Sequence, residues 1–309
     1  MKFGFGVDLG GTTVKIACFD ENGVMQDKWE IPTRIDDSGA HILPDIAGAL
    51  QTYCRSHNME QVIGVGIGVP GAVTDDGVVN RCINLGWGKF NIVQAFSELT
   101  GFYIVAGNDA TVAALGECRM GGGKGHKNVV MVTLGTGVGG GIVVGGKLIL
   151  GTNGAGGEIG HMVLNRQETR PCNCGKRGCV EQYCSATGIV RMAKDYLANT
   201  QKESALRGKD FTCKEVFDFA AQGDEVSQEV LEQVYSYLGE FIANICCVVD
   251  PEVVVLGGGV SKAGVPLLEG VKRHFARYAY HACRDTEFAL ATLGNDAGVY
   301  GAFQMLLDD

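Results

Sequence analysis

Four residues with metal-ligating side chains fall within a short stretch: His161, Cys172, Cys174 and Cys179. Three thiolates and one imidazole are a complete tetrahedral donor set for zinc. A site whose four positions are all filled by protein is structural and does not activate water. The spacing is C-x-C-x4-C with ten residues between the histidine and the first cysteine, unlike the common C-x2-C knuckle. Gly175 and Gly178 supply the turns that bring Cys179 back. The competing reading, a few buried thiols beside a solvated histidine, sits badly with the polar and glycine-rich neighbours. Cys184 could compete as a ligand but reads as a helix residue. A closed metal site would stiffen the segment carrying Glu158, His161 and Glu181, leaving those side chains to bind hydroxyl groups of a polar ligand. The imidazole can hold metal through one nitrogen and offer the other to that ligand.

A second chemistry is suggested by Asn108-Asp109, which precedes a helical pattern beginning near Ala110. In the first turn of a helix the macrodipole favours the ionised form of Asp109. That makes it a weak base, but one always ready to accept a proton, and phosphoryl transfer through a loose transition state asks little more. On residue type alone Asp109 also reads as a plain helix cap.

Three glycine clusters point to phosphates. In Asp8-Leu9-Gly10-Gly11-Thr12-Thr13-x-Lys15, the glycines let main-chain N–H groups approach phosphate oxygens, and the threonines add hydroxyl donors. Asp8, an anion beside a proposed polyanion site, calls for a divalent cation such as Mg2+ between them. The motif is neither a P-loop nor a Rossmann fingerprint, and by itself it could be an ordinary tight hairpin. The second cluster, Leu134-Gly135-Thr136-Gly137-Val138-Gly139-Gly140-Gly141, costs strand stability and invites the same compensation. The third, Leu256-Gly257-Gly258-Gly259-Val260, lies between a strand and a helix, where an α/β protein places a nucleotide. Together they indicate ATP.

These groups need a frame. Phe3 to Leu9 and Val14 to Phe19 read as strands of a glycine-turned hairpin, and Val62 to Val69 as a buried strand. The opening pattern returns at an offset of 125 residues, with Val130 to Gly137 matching Phe5 to Thr12. This predicts two related lobes, although two similar hairpins can also arise by chance. Helices are expected over 42–57, 91–100, 110–120, 185–198, 224–249, 265–278 and 296–307, and a short strand over 253–256. The class is therefore α/β. No proline- or serine-rich linker intervenes. We expect a small lobe over 1–118, with the helix over 295–309 returning to it, a large lobe over 119–294, and a hinge near 118–124.

Composition narrows the partners. The chain has 309 residues, of which 47 are glycine, about twice the usual ~7%. A formal charge of −9 without any Lys/Arg run argues against a nucleic-acid surface. No run of 18 apolar residues suggests a membrane span, and Asp8 interrupts any signal-peptide core. We expect a cytoplasmic protein with mostly reduced thiols among its 12 cysteines.

Taken together, these motifs resemble the ROK family of sugar kinases and sugar-responsive repressors, and more closely its bacterial glucokinase branch. The likeness runs through Asp8 to Thr12, Asn84-Leu85-Gly86-Trp87, Asn108-Asp109 with Glu117, Leu134 to Gly141 and Asn153 to His161. It continues through the cysteine loop, Ser185 to Gly188, Leu256 to Val260 and Leu293 to Gly298. The G-E-x-G-H segment followed by the cysteine loop is its most specific part. The resemblance implies an actin-like (ribonuclease H-like), internally duplicated, two-lobed fold with sugar and ATP in the cleft. It implies Asp109 as general base on a sugar hydroxyl, and Glu158, His161, Glu181, Asn108, Asn84 and Gly71 as sugar contacts. It implies zinc on His161, Cys172, Cys174 and Cys179. Both glycine hairpins, with Asp8, Gly10, Gly11, Thr12, Thr13, Lys15, Gly135, Thr136 and Gly137, would hold ATP phosphates with magnesium, and Gly258-Gly259 would lie near the adenosine. A homodimer or tetramer is also implied. The expected activity is ATP-dependent phosphorylation of D-glucose to glucose 6-phosphate. A kinase for N-acetylmannosamine or fructose is the alternative. A repressor is disfavoured, since only seven residues precede Asp8 and the net charge is wrong. A redox role for the cysteines is disfavoured by the absence of a C-x-x-C pair.

Overall fold

The structure is a computed structural model that describes residues 2–59, 61–80 and 82–308. The chain forms two compact units, one of Met1–Lys127, Gly141–Gly157 and Leu293–Asp309, the other of Asn128–Gly140 and Glu158–Thr292. Among the described residues no helix is long and apolar enough to cross a membrane.

The first unit opens with strands β1 (Phe3–Leu9), β2 (Thr13–Asp20) and β3 (Met25–Pro32), the single helical turn α1 (Asp36–Gly39) and helix α2 (Ile42–Ser56). It continues with β4 (Val62–Val69), the short pair β5 (Val78–Val79) and β6 (Phe90–Asn91), α3 (Ile92–Thr100), β7 (Ile104–Asn108) and α4 (Asp109–Met120). Its main sheet has the order β3-β2-β1-β4-β7, with β1 antiparallel to β2 and parallel to β4, and β4 parallel to β7. The two central strands, FGFGVDL and VIGVGIGV, lack polar alternation because helices cover both their faces. On one face Ile42, Ile46 and Leu50 of α2 and Ile92 and Phe96 of α3 bury against Phe5, Val7 and Ile67.

The next elements are β8 (Val129–Leu134), β9 (Val138–Val144), β10 (Lys147–Leu148), α5 (Glu181–Cys184), α6 (Ala186–Ala198), α7 (Cys213–Ala221) and α8 (Glu225–Val249). After them come β11 (Val253–Gly257), α9 (Val265–Tyr278), β12 (Glu287–Leu290) and α10 (Ala297–Asp308). The second sheet has the order β10-β9-β8-β11-β12, with β11 parallel to both β8 and β12. This repeats the plan of the first sheet strand for strand. β8 ends at Leu134 and β9 begins at Val138, each 125 residues beyond its counterpart at Leu9 and Thr13. The duplication read from the glycine hairpins is thus present in the topology.

Helix α10 closes the other face of the first sheet, where Val299 and Phe303 bury against Ala17 and Phe19. It lies directly on the backbone. A Cβ at Gly66 would stand 1.7 Å from the Ala302 carbonyl oxygen, and one at Gly301 would stand 1.8 Å from that of Val112. Any side chain there would force the helix off β4 and α4.

Helix boundaries follow local chemistry. Asn91, Asn108, Ser185 and Asp224 each cap the helix that follows by accepting a main-chain N–H. Helix α7 and strands β3, β7 and β12 are not anticipated from the sequence. The capping box Thr212–Glu215 is the local signal that marks α7. The three strands carry too few residues of clear alternation to stand out, and their pairing partners decide them.

Candidate active site

Between β10 and α5 the chain has little regular structure, and the metal-ligand candidates sit in the part of it from Glu158 onward, which belongs to the second unit. The ligand atoms of His161, Cys172, Cys174 and Cys179 all lie within 4.8 Å of one another. Cys172 Sγ is 3.8 Å from His161 Nδ1, and Cys174 Sγ is 3.6 Å from Cys179 Sγ. Tetrahedral zinc with Zn–S bonds of ~2.3 Å requires sulfur atoms about 3.8 Å apart, so the donor set fits that ion in chemistry and in spacing. The two imidazole nitrogens face different groups. Nδ1 faces the thiols, while Nε2 lies 3.8 Å from Glu158 Oε2. Burial pushes the Cys172 thiol up and takes Cys179 to about 12. Burial also acts on Cys174, but the Lys176 amide and the neighbouring thiols outweigh it and lower that thiol. Cys184 falls in α5, fully buried, with its thiol raised by desolvation, and it lies outside the ligand group.

Two residues that sequence reading overlooked hold this loop. The buried carboxamide of Gln182 accepts the amides of Gly178 (2.8 Å) and Cys179 (3.2 Å) and donates to the Arg170 carbonyl (3.1 Å). Glu168 accepts from Arg170 Nε at 3.0 Å and from the Tyr183 hydroxyl at 2.7 Å. The Arg170 guanidinium holds its carboxyl down to about 2. Neither residue belongs to a motif; only its burial and its partners reveal it.

Glu181, the first residue of α5, reaches the β8–β9 hairpin. Its Oε2 accepts the Val138 amide at 3.1 Å, and its Oε1 lies 3.7 Å from Cys172 Sγ. The hairpin turn is pinned from the same side. Ala186 N donates to the Gly135 carbonyl at 2.8 Å, and Thr187 Oγ1 donates to that of Thr136 at 2.9 Å. Gly135 N closes on the Gly137 carbonyl at 2.9 Å. Gly258 and Gly259 follow directly on β11, which pairs with β8.

In the first unit the β1–β2 turn is built in the same manner. Gly10 N donates to the Thr13 carbonyl (3.1 Å), and Thr33 donates its N–H to Thr12 and its hydroxyl to Gly10. Gly11 and Thr12 are exposed, with open space around Gly11. Asp8 faces Lys15 across the register, Nζ to Oδ2 3.4 Å, and Lys15 also donates to the Asn295 carbonyl at 3.2 Å. Burial raises the Asp8 carboxyl and Lys15 opposes it. A partly buried carboxylate beside an open glycine turn suits a divalent cation held with phosphates.

Asn108, at the end of β7, is the cap of α4. Its Oδ1 accepts from Thr111 N (3.1 Å) and Thr111 Oγ1 (2.9 Å), and its Nδ2 donates to the Gly71 carbonyl at 3.0 Å. Asp109 is therefore the first helical residue and not the cap, and its Oδ1 accepts the Ala110 amide at 2.8 Å. Asn84 stands exposed in the turn Ile83–Leu85. Asn108, Asp109, Gly71, Asn84 and the Asp8 turn belong to the first unit, and Glu158, His161, Glu181 and the metal loop to the second.

At the far end of α4, Glu117 is fully buried. One carboxylate oxygen accepts the Gly122 amide and the other the Leu293 amide, each at 2.8 Å. It ties the segment leaving the first unit to the segment returning to it.

Comparison with known proteins places this arrangement. A glucokinase of Halalkalibacterium halodurans is 44% identical over 304 residues, covering 96% of this chain and 92% of that one. An N-acetylmannosamine kinase of Escherichia coli is 32% identical, covering 98% of each. The crystal structure of a ROK family glucokinase from Streptomyces griseus, in complex with glucose and AMPPNP, superposes with a TM-score of 0.77 at 31% identity. It covers 99% of this chain and all of that one. The fold is the actin-like, duplicated α/β fold of these sugar kinases. The ROK family profile matches residues 4–309, and this chain belongs to the ROK family.

Proposed function

We propose that the protein is an ATP-dependent glucokinase, an ATP:hexose 6-phosphotransferase that converts D-glucose to glucose 6-phosphate. The observation that carries this reading is the 44% identity to a glucokinase over 96% of the chain. In the reaction the 6-hydroxyl oxygen of glucose bonds to the γ-phosphorus, the bond from that phosphorus to the β–γ bridging oxygen breaks, and ADP leaves. Asp109 takes the hydroxyl proton. Its place at the start of α4, where the helix dipole favours a negative charge, and the bond from the Ala110 amide to Oδ1 orient the carboxylate for that role. Asn108, Gly71, Asn84, Glu158, His161 and Glu181 are the sugar contacts in this reading.

The turns at Gly10 to Thr13 and Gly135 to Gly137, each closed by its own main-chain bond from Gly10 or Gly135, hold the phosphates, with Lys15 as a further cation, and Gly258-Gly259 adjoins the adenosine. Asp8 would hold Mg2+, which neutralises charge on the transferred group when bound. His161, Cys172, Cys174 and Cys179 would hold a structural zinc that stiffens the loop bearing the sugar contacts. The three polar contacts Glu158, His161 and Glu181 favour a fully hydroxylated hexose, because a site built around a hydroxyl rejects a ligand that lacks it. A second reading, an N-acetylmannosamine kinase, is favoured by the 32% identical relative. Initial rates with Mg-ATP on glucose, N-acetylmannosamine, fructose and mannose decide between them. Glucose is expected to give the highest kcat/KM, and faster turnover of another sugar overturns the substrate assignment.

A further inference from the structure

Glu181 is a sugar contact in the reading above, yet one of its oxygens is already engaged elsewhere. Oε2 accepts the Val138 amide at 3.1 Å, at the foot of the hairpin that carries Gly135 to Gly137. The two groups are tightly apposed, since a Cβ at Gly137 would lie 2.3 Å from that same oxygen. Ala186 and Thr187, a few residues further on, hold the hairpin's Gly135 and Thr136 carbonyls. Upstream, Glu181 follows Cys179 with one residue between. Its other oxygen faces Cys172. The carboxylate thus joins two pieces of chain with separate tasks, the loop for sugar and the hairpin for phosphate.

We propose that Glu181 is a positioning residue that couples the two substrates, so that a sugar held on its carboxylate fixes the hairpin for the nucleotide. This rests on the sugar-kinase reading. A carboxylate that accepts a sugar hydroxyl loses rotational freedom, and with it the Val138 amide and the adjoining turn lose theirs. A nucleotide that then binds has less ordering left to impose, which makes the coupling positive. The same factor must appear in the sugar's affinity when nucleotide is present.

The test measures binding, separately from turnover. A non-hydrolysable ATP analogue with Mg2+ is titrated by calorimetry without and with a saturating hexose, taken as whichever of the four sugars binds tightest. The parent protein should bind the analogue about fivefold or more tightly with sugar present, and sugar affinity should rise by the same factor. Gly137→Ala, which displaces Oε2, and Glu181→Ala should each bring the factor to about one. Absolute affinities shift in both, and only the ratio is read. Glu158→Gln is the contrast, because Glu158 pairs with His161. It should weaken sugar binding and keep the factor. If Gly137→Ala fails to fold, judged by its melting curve, Glu181→Ala decides. A factor of one in the parent, a factor preserved in Glu181→Ala, or an equal loss in Glu158→Gln overturns the proposal. Absence of turnover on all four sugars instead refutes the kinase reading, and turnover with a factor of one refutes the coupling alone.

Discussion

Replacing Asp109 by asparagine separates chemistry from architecture at the residue proposed as base. Asn retains an oxygen that can accept the Ala110 amide, now bonded at 2.8 Å, and the cap of α4 is the preceding Asn108, which is untouched. Losing one negative charge at a helix N-terminus costs about 0.3–1 kcal/mol. For a chain of this size that lowers Tm by no more than ~4 °C. The chemical loss is much larger. A positioned general base contributes about 10²–10⁴ in rate, or roughly 3–5.5 kcal/mol of barrier. We expect kcat for glucose to fall by at least a hundredfold at pH 7.5 with KM changed by less than about threefold. Coupling glucose 6-phosphate formation to a dehydrogenase reads the rate, and circular dichroism reads the melting curve. If kcat stays within tenfold of the parent while the fold is intact, Asp109 is no more than a helix-terminal residue and the base lies elsewhere.

Three further outcomes follow from buried polar groups and from the metal loop. Glu117→Gln leaves one oxygen for two amides that now share a carboxylate, at Gly122 and Leu293. Setting an amide donor against the other N–H should cost about 2–3 kcal/mol, seen as a Tm lower by roughly 5–10 °C. Metal analysis should find zinc at about one per chain, and Cys179→Ala should lose it, lower Tm by about 5–15 °C and raise the KM for glucose. Full zinc retention in that variant removes Cys179 from the site. Glu168, whose carboxyl sits near 2 against an ordinary 4.5, contributes stability that is complete above about pH 4.5 and is lost as pH falls toward 2. The depressed value is worth at most about 3 kcal/mol. Urea unfolding at pH 6 and pH 3 should therefore differ less in Glu168→Gln than in the parent.

Asp109 shows how far residue type alone reaches. Its neighbourhood reads from the sequence as a helix start, and so it is, but type cannot say whether Asn108 or Asp109 caps it. Geometry assigns the cap to Asn108, whose side chain also reaches the Gly71 carbonyl, 37 residues earlier in the chain. Gln182 and Glu168 were illegible for a related reason. A carboxamide that braces Arg170 against Gly178 resembles any surface glutamine until its partners are known.

Order that arises within about twenty residues was legible in the sequence. The glycine hairpins, the helix periods and the grouping of His161 with Cys172, Cys174 and Cys179 are local, because hairpin closure, helical pitch and a short loop each act between near neighbours; the recurrence at 125 residues is legible because each copy is itself a local pattern. Contacts between distant segments were settled only by the folded chain. Residues 141–157 and 293–309 belong with the first unit, short strands such as β7 and β12 exist by pairing, and Glu117 gathers amides from positions 122 and 293. Such contacts draw on burial and on hydrogen bonds whose partners lie from 34 residues apart, as for Val253 and Glu287, to 176 apart, as for Glu117 and Leu293, and a local pattern carries no record of them.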